Sequence, residues 1–329
     1  MPIDSLPVVD LSAPDQRACV EAVRVASERH GFFYITGHGV DPAVEHRLEQ
    51  ATARFFALPL EAKQRISMAH GGRAWRGWFP LGGELTSGAA DLKEGLYLGE
   101  ELGPDDARVR ADWPMHGANL FPAEVPELRA AVLDFIAAQT RVSHAVMRAI
   151  ALSLGLEADF FERRLTRKPL PLFRIFHYPQ PSATEASGWG VGEHTDYGLL
   201  TVLKQDDCGG LEVKTPSGWI EAPPIPQTFV CNLGDMLDRM TGGRYRSTPH
   251  RVRNTSGRSR YSWPFFFDPA FDAEVVPLPG ALARPVERDA AERWDRASVH
   301  GLSGTYGEYL VSKVSKVFPH LATTALPLP

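Results

Sequence analysis

Apolar side chains recur at helical spacing between Pro126 and Leu154, at Val132, Phe135, Ile136, Val142, Val146, Ile150 and Leu154. That stripe predicts a long amphipathic helix placed where it can support a sheet. Shorter helical patterns cover Arg17 to Arg29, Pro42 to Phe56 and, near the end, Gly304 to Phe318. Val8-Val9 ahead of Asp10 reads as a short strand. Phe32-Phe33-Tyr34-Ile35, bounded by Gly31 and Gly37, reads as an aromatic β run. From about Leu172 the texture changes to short β-prone runs: Leu172–Tyr178, Leu199–Lys204, Leu211–Thr215, Trp219–Glu221, Thr228–Asn232, His250–Arg253 and Tyr261–Phe267. Pro179, Gly209-Gly210, Pro223-Pro224 and Gly242-Gly243 punctuate them, a pattern that predicts a sandwich or jelly roll and not a parallel sheet. Gly71 to Gly95 is rich in glycine and tryptophan without a sustained period, and is expected to form a long ordered loop. The chain is thus mainly β with flanking helices. It divides into an amino-terminal region (residues 1–125), a scaffold helix and connector (126–170), a β-rich core (171–280) and a helical tail (281–329), expected to pack as one unit.

Composition narrows the function classes. With 329 residues, 43% hydrophobic and 23% charged, the chain can bury a sizeable core. A net charge of -5 supplies no basic excess to neutralise phosphates, which argues against a nucleic-acid binder despite the arginines between Arg251 and Arg260. Cys19, Cys208 and Cys231 have no short paired spacing and read as free thiols of a reducing compartment. Residues 1–12 show no basic stretch followed by an apolar one, so no secretory signal is expected. The most apolar helical stretch carries Asp134, Arg141, His144 and Arg148, which makes crossing a bilayer costly. A cytoplasmic protein, monomeric or weakly homo-oligomeric and acting on a small molecule, is the expectation.

The densest chemical signal is Glu193-His194-Thr195-Asp196-Tyr197-Gly198. Residues two apart on extended backbone share a face, so His194 and Asp196 can present an imidazole and a carboxylate to one ion. A third ligand must come from elsewhere, and His250 opens a later β-prone run. Two histidines and one carboxylate leave three positions open on an octahedral metal, which suits Fe(II) activating O2. A catalytic zinc site uses the same donors, so the spacing alone does not select iron. Arg260-Tyr261-Ser262 follows shortly after. If a turn brings that strand back, the Arg260 guanidinium and the Ser262 hydroxyl share a face and can hold the far carboxylate of a dicarboxylic keto acid.

Together, His194-x-Asp196, His250 and Arg260-x-Ser262 resemble the iron and cosubstrate motifs of the 2-oxoglutarate-dependent oxygenases, in their isopenicillin N synthase-like branch. The likeness extends to Gly31–Ile35 with His38-Gly39, to His194–Leu203, Asn232–Asp235 and Ser247–Val252, and to Thr305–Tyr309 in the final helix, so it spans essentially the whole chain. The resemblance implies a distorted double-stranded β-helix with iron at its open end, Fe(II) and 2-oxoglutarate as cofactor and cosubstrate, and Tyr178 beside the cosubstrate. Many plant members carry asparagine where Phe176 stands, a departure at that wall of the pocket.

Phe266 and Asp268 share the parity of Arg260 and Ser262 and are expected to line the organic substrate, the alternative being core packing and an Asp-Pro turn. Arg76 and Trp78 lie in the Gly71–Gly95 loop, which covers the active site in the family, and are further candidate substrate contacts. His177 is read as packing on the face opposite Tyr178, His30, His38 and His116 as structural, and Asn232 and Asp235 as shaping a turn. The implied reaction is oxidation of a small organic substrate, hydroxylation first, coupled to decarboxylation of 2-oxoglutarate to succinate. Within the same fold the alternatives are a 2-oxoglutarate-independent oxidase of the isopenicillin N synthase or aminocyclopropane-carboxylate oxidase type and an ethylene-forming enzyme. A catalytically silent metal-binding jelly roll is the alternative from another class.

Overall fold

Short polar caps set the amino-terminal elements. After β1 (Val8–Asp10), the Asp15 carboxylate accepts from the Arg17 and Ala18 amides and starts α1 (Gln16–Arg29). β2 (Phe32–Thr36) follows, and Asp41 with Pro42 at the first helical position starts α2 (Pro42–Phe56). This is a computed structural model, and it describes residues 5–180, 188–282, 284–293 and 295–326. Next come α3 (Leu60–Gln64), two single 3-10 turns, β3 (Gly77–Phe79), the hairpin β4 (Leu85–Thr86) with β5 (Ala89–Ala90), and β6 (Glu94–Gly99). The Gly71–Gly95 stretch is therefore not one loop. It contains β3 and a hairpin whose strands are too short to leave a periodic signature.

α4 (Ala107–Arg110) leads to α5 (Glu127–Ser153), the long helix that the apolar stripe predicts, with Leu128, Val132, Phe135, Val142, Val146 and Ile150 all buried. α6 (Phe160–Arg164) then hands over to the β-rich part: β7 (Leu170–Tyr178), β8 (Val191–His194), β9 (Leu200–Gln205), β10 (Leu211–Thr215), β11 (Gly218–Glu221) and β12 (Phe229–Leu233). Where a turn is expected at Asp235, a helix forms instead: α7 (Asp235–Thr241). β13 (His250–Val252) and β14 (Arg260–Asp268) complete the sheets, and α8 (Val286–Glu292), α9 (Tyr306–Val317) and α10 (Pro319–Ala325) close the chain. A Thr305/Glu308 capping box starts α9.

The strands form two main sheets. The larger has eight strands in the order β1-β2-β12-β9-β14-β7-β6-β3, and the smaller four in the order β11-β10-β13-β8. α5 packs on the larger sheet against β7, β9 and β14, and also packs against α1 and α2. One continuous hydrophobic core runs from Leu6 to Leu326. Between the sheets lies a cavity lined by both, by Arg174, Tyr178 and Phe266 of the larger and by His194, Leu211 and His250 of the smaller. This is a jelly roll with flanking helices, and its register is what brings distant residues together. β13 pairs antiparallel with β8 so that His250 stands opposite His194. β14 pairs with β7 so that Arg260 stands opposite Tyr178 and Ser262 opposite Phe176. Among the described residues no helix is long and apolar enough to cross a membrane.

Candidate active site

β8 ends at His194, and the chain turns so that Asp196 reaches the same point. His194 Nε2 lies 3.7 Å and His250 Nε2 3.8 Å from Asp196 Oδ1, and the two imidazole rings are 4.2 Å apart. One donor atom from each of the three lies within 4.8 Å of the others, a spacing that can hold a metal ion. The neighbours fix which atoms face inward. His194 Nδ1 donates to the Gly192 carbonyl at 2.8 Å and His250 Nδ1 to the Thr248 carbonyl at 3.2 Å, which leaves both Nε2 lone pairs free for a ligand. Asp196 Oδ2 accepts from Asn232 Nδ2 at 2.7 Å and from Thr201 Oγ1 at 2.5 Å, so Oδ1 is the oxygen turned to the histidines.

Charge follows geometry. Burial opposes ionisation of Asp196, yet the His250 and His194 imidazoles and the Asn232 and Thr201 donors outweigh it and hold the carboxyl below its ordinary range. Burial, with His194 beside it, pushes His250 down to about 4 against the attraction of Asp196. The cluster therefore offers a carboxylate and a neutral imidazole near neutral pH, the forms a divalent metal binds.

Beside this cluster stands a guanidinium with hydrogens to spare. Arg260 is 1% exposed; its Nε donates to the Gly209 carbonyl at 2.6 Å, while Nη1 and Nη2 have no partner among the described residues. Its charge lies over the Tyr178 ring at 4.6 Å, and the Tyr178 hydroxyl is 3.2 Å from Ser262 Oγ. A buried, unpaired guanidinium costs several kcal/mol. Two parallel N–H donors aimed into a cavity, with two hydroxyls alongside, fit a carboxylate ligand.

The comparisons with known proteins agree with this geometry. Residues 6–124 match the family profile described as the amino-terminal part of the non-haem dioxygenases in morphine synthesis, and residues 169–269 match that of the 2OG-Fe(II) oxygenase superfamily. The chain is 45% identical to a Dictyostelium discoideum protein named as a probable iron/ascorbate oxidoreductase, over 98% of both chains. The chain belongs to the 2-oxoglutarate- and Fe(II)-dependent oxygenase superfamily. It is also 37% identical to a 1-aminocyclopropane-1-carboxylate oxidase of Dictyostelium mucoroides, over 96% of each. Among solved structures, a full-length Neurospora crassa protein crystallised in complex with alpha-KG and thymine superposes with a TM-score of 0.76 at 28% identity, covering 94% of this chain and 96% of that one. The protein is accordingly an Fe(II) oxygenase that uses 2-oxoglutarate, an oxidoreductase.

The remaining walls of the oxygenase cavity partly match the sequence reading. Tyr178, Phe266 and Asp268 line it, as does Phe176 at the position where plant members carry asparagine. His177 does not; it bonds to Glu94 Oε1 at 2.9 Å and stacks on Tyr261. Arg76 and Trp78 do not reach the cavity either, which corrects the expectation for that segment. Arg76 is buried with Nη2 donating to the Met115 carbonyl at 2.9 Å, and burial, with Arg174 adding to it, pushes its guanidinium down to about 9. Trp78 Nε1 donates to Glu94 Oε2 at 2.9 Å. The indole that does line the cavity is Trp75, whose backbone takes the left-handed conformation at φ 57°. Sequence reasoning also missed Asn232 and Thr201 as the residues that orient Asp196. Thr201 has the parity of Leu203, another cavity residue on β9, and that parity was the available signal.

Asp268 gives this wall a pH-dependent carboxyl. Burial pushes its carboxyl up to about 7; the Tyr306 hydroxyl, donating at 2.5 Å, opposes the rise, the Asp196 charge adds to it and Arg174 opposes it. A carboxyl held above its unfolded value of 3.8 keeps its proton in the fold, so its contribution to stability is full below that value and is lost as pH rises through about 7. Asp268→Asn in metal-free protein is therefore expected to gain Tm relative to wild type between pH 5 and pH 8. A constant Tm difference across that range would contradict the assignment.

Proposed function

We propose that His194, Asp196 and His250 hold Fe(II), that Arg260 and Ser262 hold the far carboxylate of 2-oxoglutarate with Tyr178 beside them, and that the enzyme hydroxylates a small organic molecule. The observation that carries this reading is the buried Arg260, whose two unpaired terminal nitrogens face the same cavity as the three convergent ligand atoms. Bound Fe(II) supplies O2 activation, coupled to oxidative decarboxylation of 2-oxoglutarate to succinate and CO2. The chain's own part is positioning. The Gly192 and Thr248 carbonyls fix the imidazole tautomers, Asn232 and Thr201 fix the Asp196 carboxylate, and the aromatic walls keep water from the reacting atoms. The free cysteines and the net charge of -5 support a cytoplasmic enzyme acting on a small molecule.

Loss of an orienting hydrogen bond is expected to weaken the site without removing a ligand. Asn232→Ala should lower Fe(II) affinity by roughly 10- to 100-fold, as read by metal titration at unchanged fold. An unaltered affinity would show that Asn232 does not position Asp196. The similarity to an aminocyclopropane-carboxylate oxidase supports a second reading, in which the site oxidises its substrate without 2-oxoglutarate and Arg260 holds a substrate carboxylate. Oxygen uptake across a panel of small acids, amino acids and heteroaromatic compounds, with 2-oxoglutarate present and omitted, separates the two. Uptake that depends on 2-oxoglutarate and is matched by succinate supports the first reading; undiminished uptake without it supports the second.

A further inference from the structure

The cavity wall carries a second guanidinium, and 2-oxoglutarate has no end left to pair with it. Arg174 is 5% exposed on β7, on the same face as Phe176 and Tyr178. It lies four residues from Tyr178, roughly 13 Å along the strand, and Tyr178 is the residue that Arg260 opposes in register. Nη1 of Arg174 donates to the Leu98 carbonyl at 3.3 Å and the Phe173 carbonyl at 3.2 Å; no carboxylate pairs with it among the described residues. Its plane sits on the ring of Tyr97, the residue opposite it on β6, with Cζ 3.5 Å from the ring centre. That stack fixes the guanidinium in place; Asp268 of the same cavity feels its charge but forms no ion pair with it.

The other cation of this wall is neutralised. Lys93 pairs with Glu84 at 2.8 Å and with Asp91, so it has no net charge to offer a ligand. Arg260 is committed to the far carboxylate of 2-oxoglutarate, whose near carboxylate and keto group belong at the metal. With no protein carboxylate in ion-pair contact with Arg174 among the described residues, a directly paired anion there comes from another molecule. The surfaces around it are flat and apolar: Tyr97 beneath, Phe266 with its ring centre 5.9 Å from Arg174 Cζ, and Phe176 facing Tyr97 at 6.5 Å.

Resting on the oxygenase reading above, we propose that Arg174 binds the carboxylate of the organic substrate, which is a small carboxylic acid with an apolar or aromatic body held among Tyr97, Phe176 and Phe266. A carboxylate removes the cost of the buried charge and gains two charge-assisted hydrogen bonds, which an uncharged analogue of the same shape cannot do.

The test uses the full-length Fe(II)-loaded enzyme and matched pairs: benzoate, phenylacetate and cyclohexanecarboxylate, each against its primary amide. Two readouts are taken, 2-oxoglutarate-dependent succinate release and the anaerobic shift in Tm with 2-oxoglutarate bound. At least one acid is expected to act on both at a concentration about 100-fold below its amide. Arg174→Gln should erase that preference, Arg174→Lys should keep part of it, and both should bind 2-oxoglutarate within about threefold of wild type. Wild-type enzyme that responds equally to acid and amide, or to neither, overturns the proposal without requiring any variant to fold. So does an Arg174→Gln enzyme that keeps the preference. Arg174→Gln enzyme that loses 2-oxoglutarate binding overturns it too, by making Arg174 part of the cosubstrate site. Wild-type enzyme that fails to bind 2-oxoglutarate at all refutes the underlying oxygenase reading instead.

Discussion

Asp196→Asn is expected to lower substrate-dependent succinate release by at least roughly 1000-fold, equivalent to about 4 kcal/mol of transition-state stabilisation. Asparagine keeps the side-chain volume and leaves an oxygen for Asn232 or Thr201, so the fold should survive. What it removes is the negative charge between two imidazoles, 3.7 Å from one and 3.8 Å from the other. A divalent metal then loses one of three protein donors and the one anionic among them. Metal analysis and succinate assays on the same preparation check the result. Near-normal turnover with Fe(II) retained would sink the assignment of Asp196.

Arg260→Gln is expected to raise the KM for 2-oxoglutarate about 100-fold, the scale of a lost charge-assisted, bidentate contact. The same change should not weaken the ligand-free fold. Wild-type Arg260 buries two terminal nitrogens without partners, so removing the charge relieves a desolvation cost while giving up one hydrogen bond to Gly209. A Tm equal to or above that of wild type, together with loss of the Tm rise that 2-oxoglutarate gives the wild type, is the expected pair of results. A lower Tm with normal affinity for 2-oxoglutarate would mean that Arg260 serves the fold and not the ligand.

Much of this was legible in the sequence, for physical reasons that differ by element. The parity rule on extended backbone put Arg260 with Ser262, and both face the cavity from β14. It also paired His194 with Asp196, which do converge, but Asp196 lies past the end of β8 and reaches the site through a turn of the chain. α5 was readable because its apolar stripe continues over 27 residues. The hairpin of β4 and β5 was not, because two-residue strands have no period. Asp235 was read as a turn because an aspartate after Gly234 is turn-like locally. Its tertiary partners, Arg293 at 2.6 Å and the Tyr309 hydroxyl at 2.7 Å, lie more than fifty residues away and hold it at the start of α7. Arg76 and Trp78 were singled out as a cation among tryptophans, but local composition does not report which side chain faces a cavity. Arg174 was the reverse case: it shares the parity of Tyr178 on the same strand, yet an isolated arginine inside an apolar run has no local partner to mark it.

On the function proposed above, one cavity binds Fe(II) and 2-oxoglutarate interdependently through His194, Asp196, His250 and Arg260. Anaerobic calorimetric titration of 2-oxoglutarate into the full-length protein, with Fe(II) present and omitted, tests it most directly because no organic substrate is needed. A single site that tightens at least about tenfold with Fe(II) is predicted, as chelation to a bound metal requires. Binding that is indifferent to the metal, or no binding with Fe(II) loaded, would contradict the account.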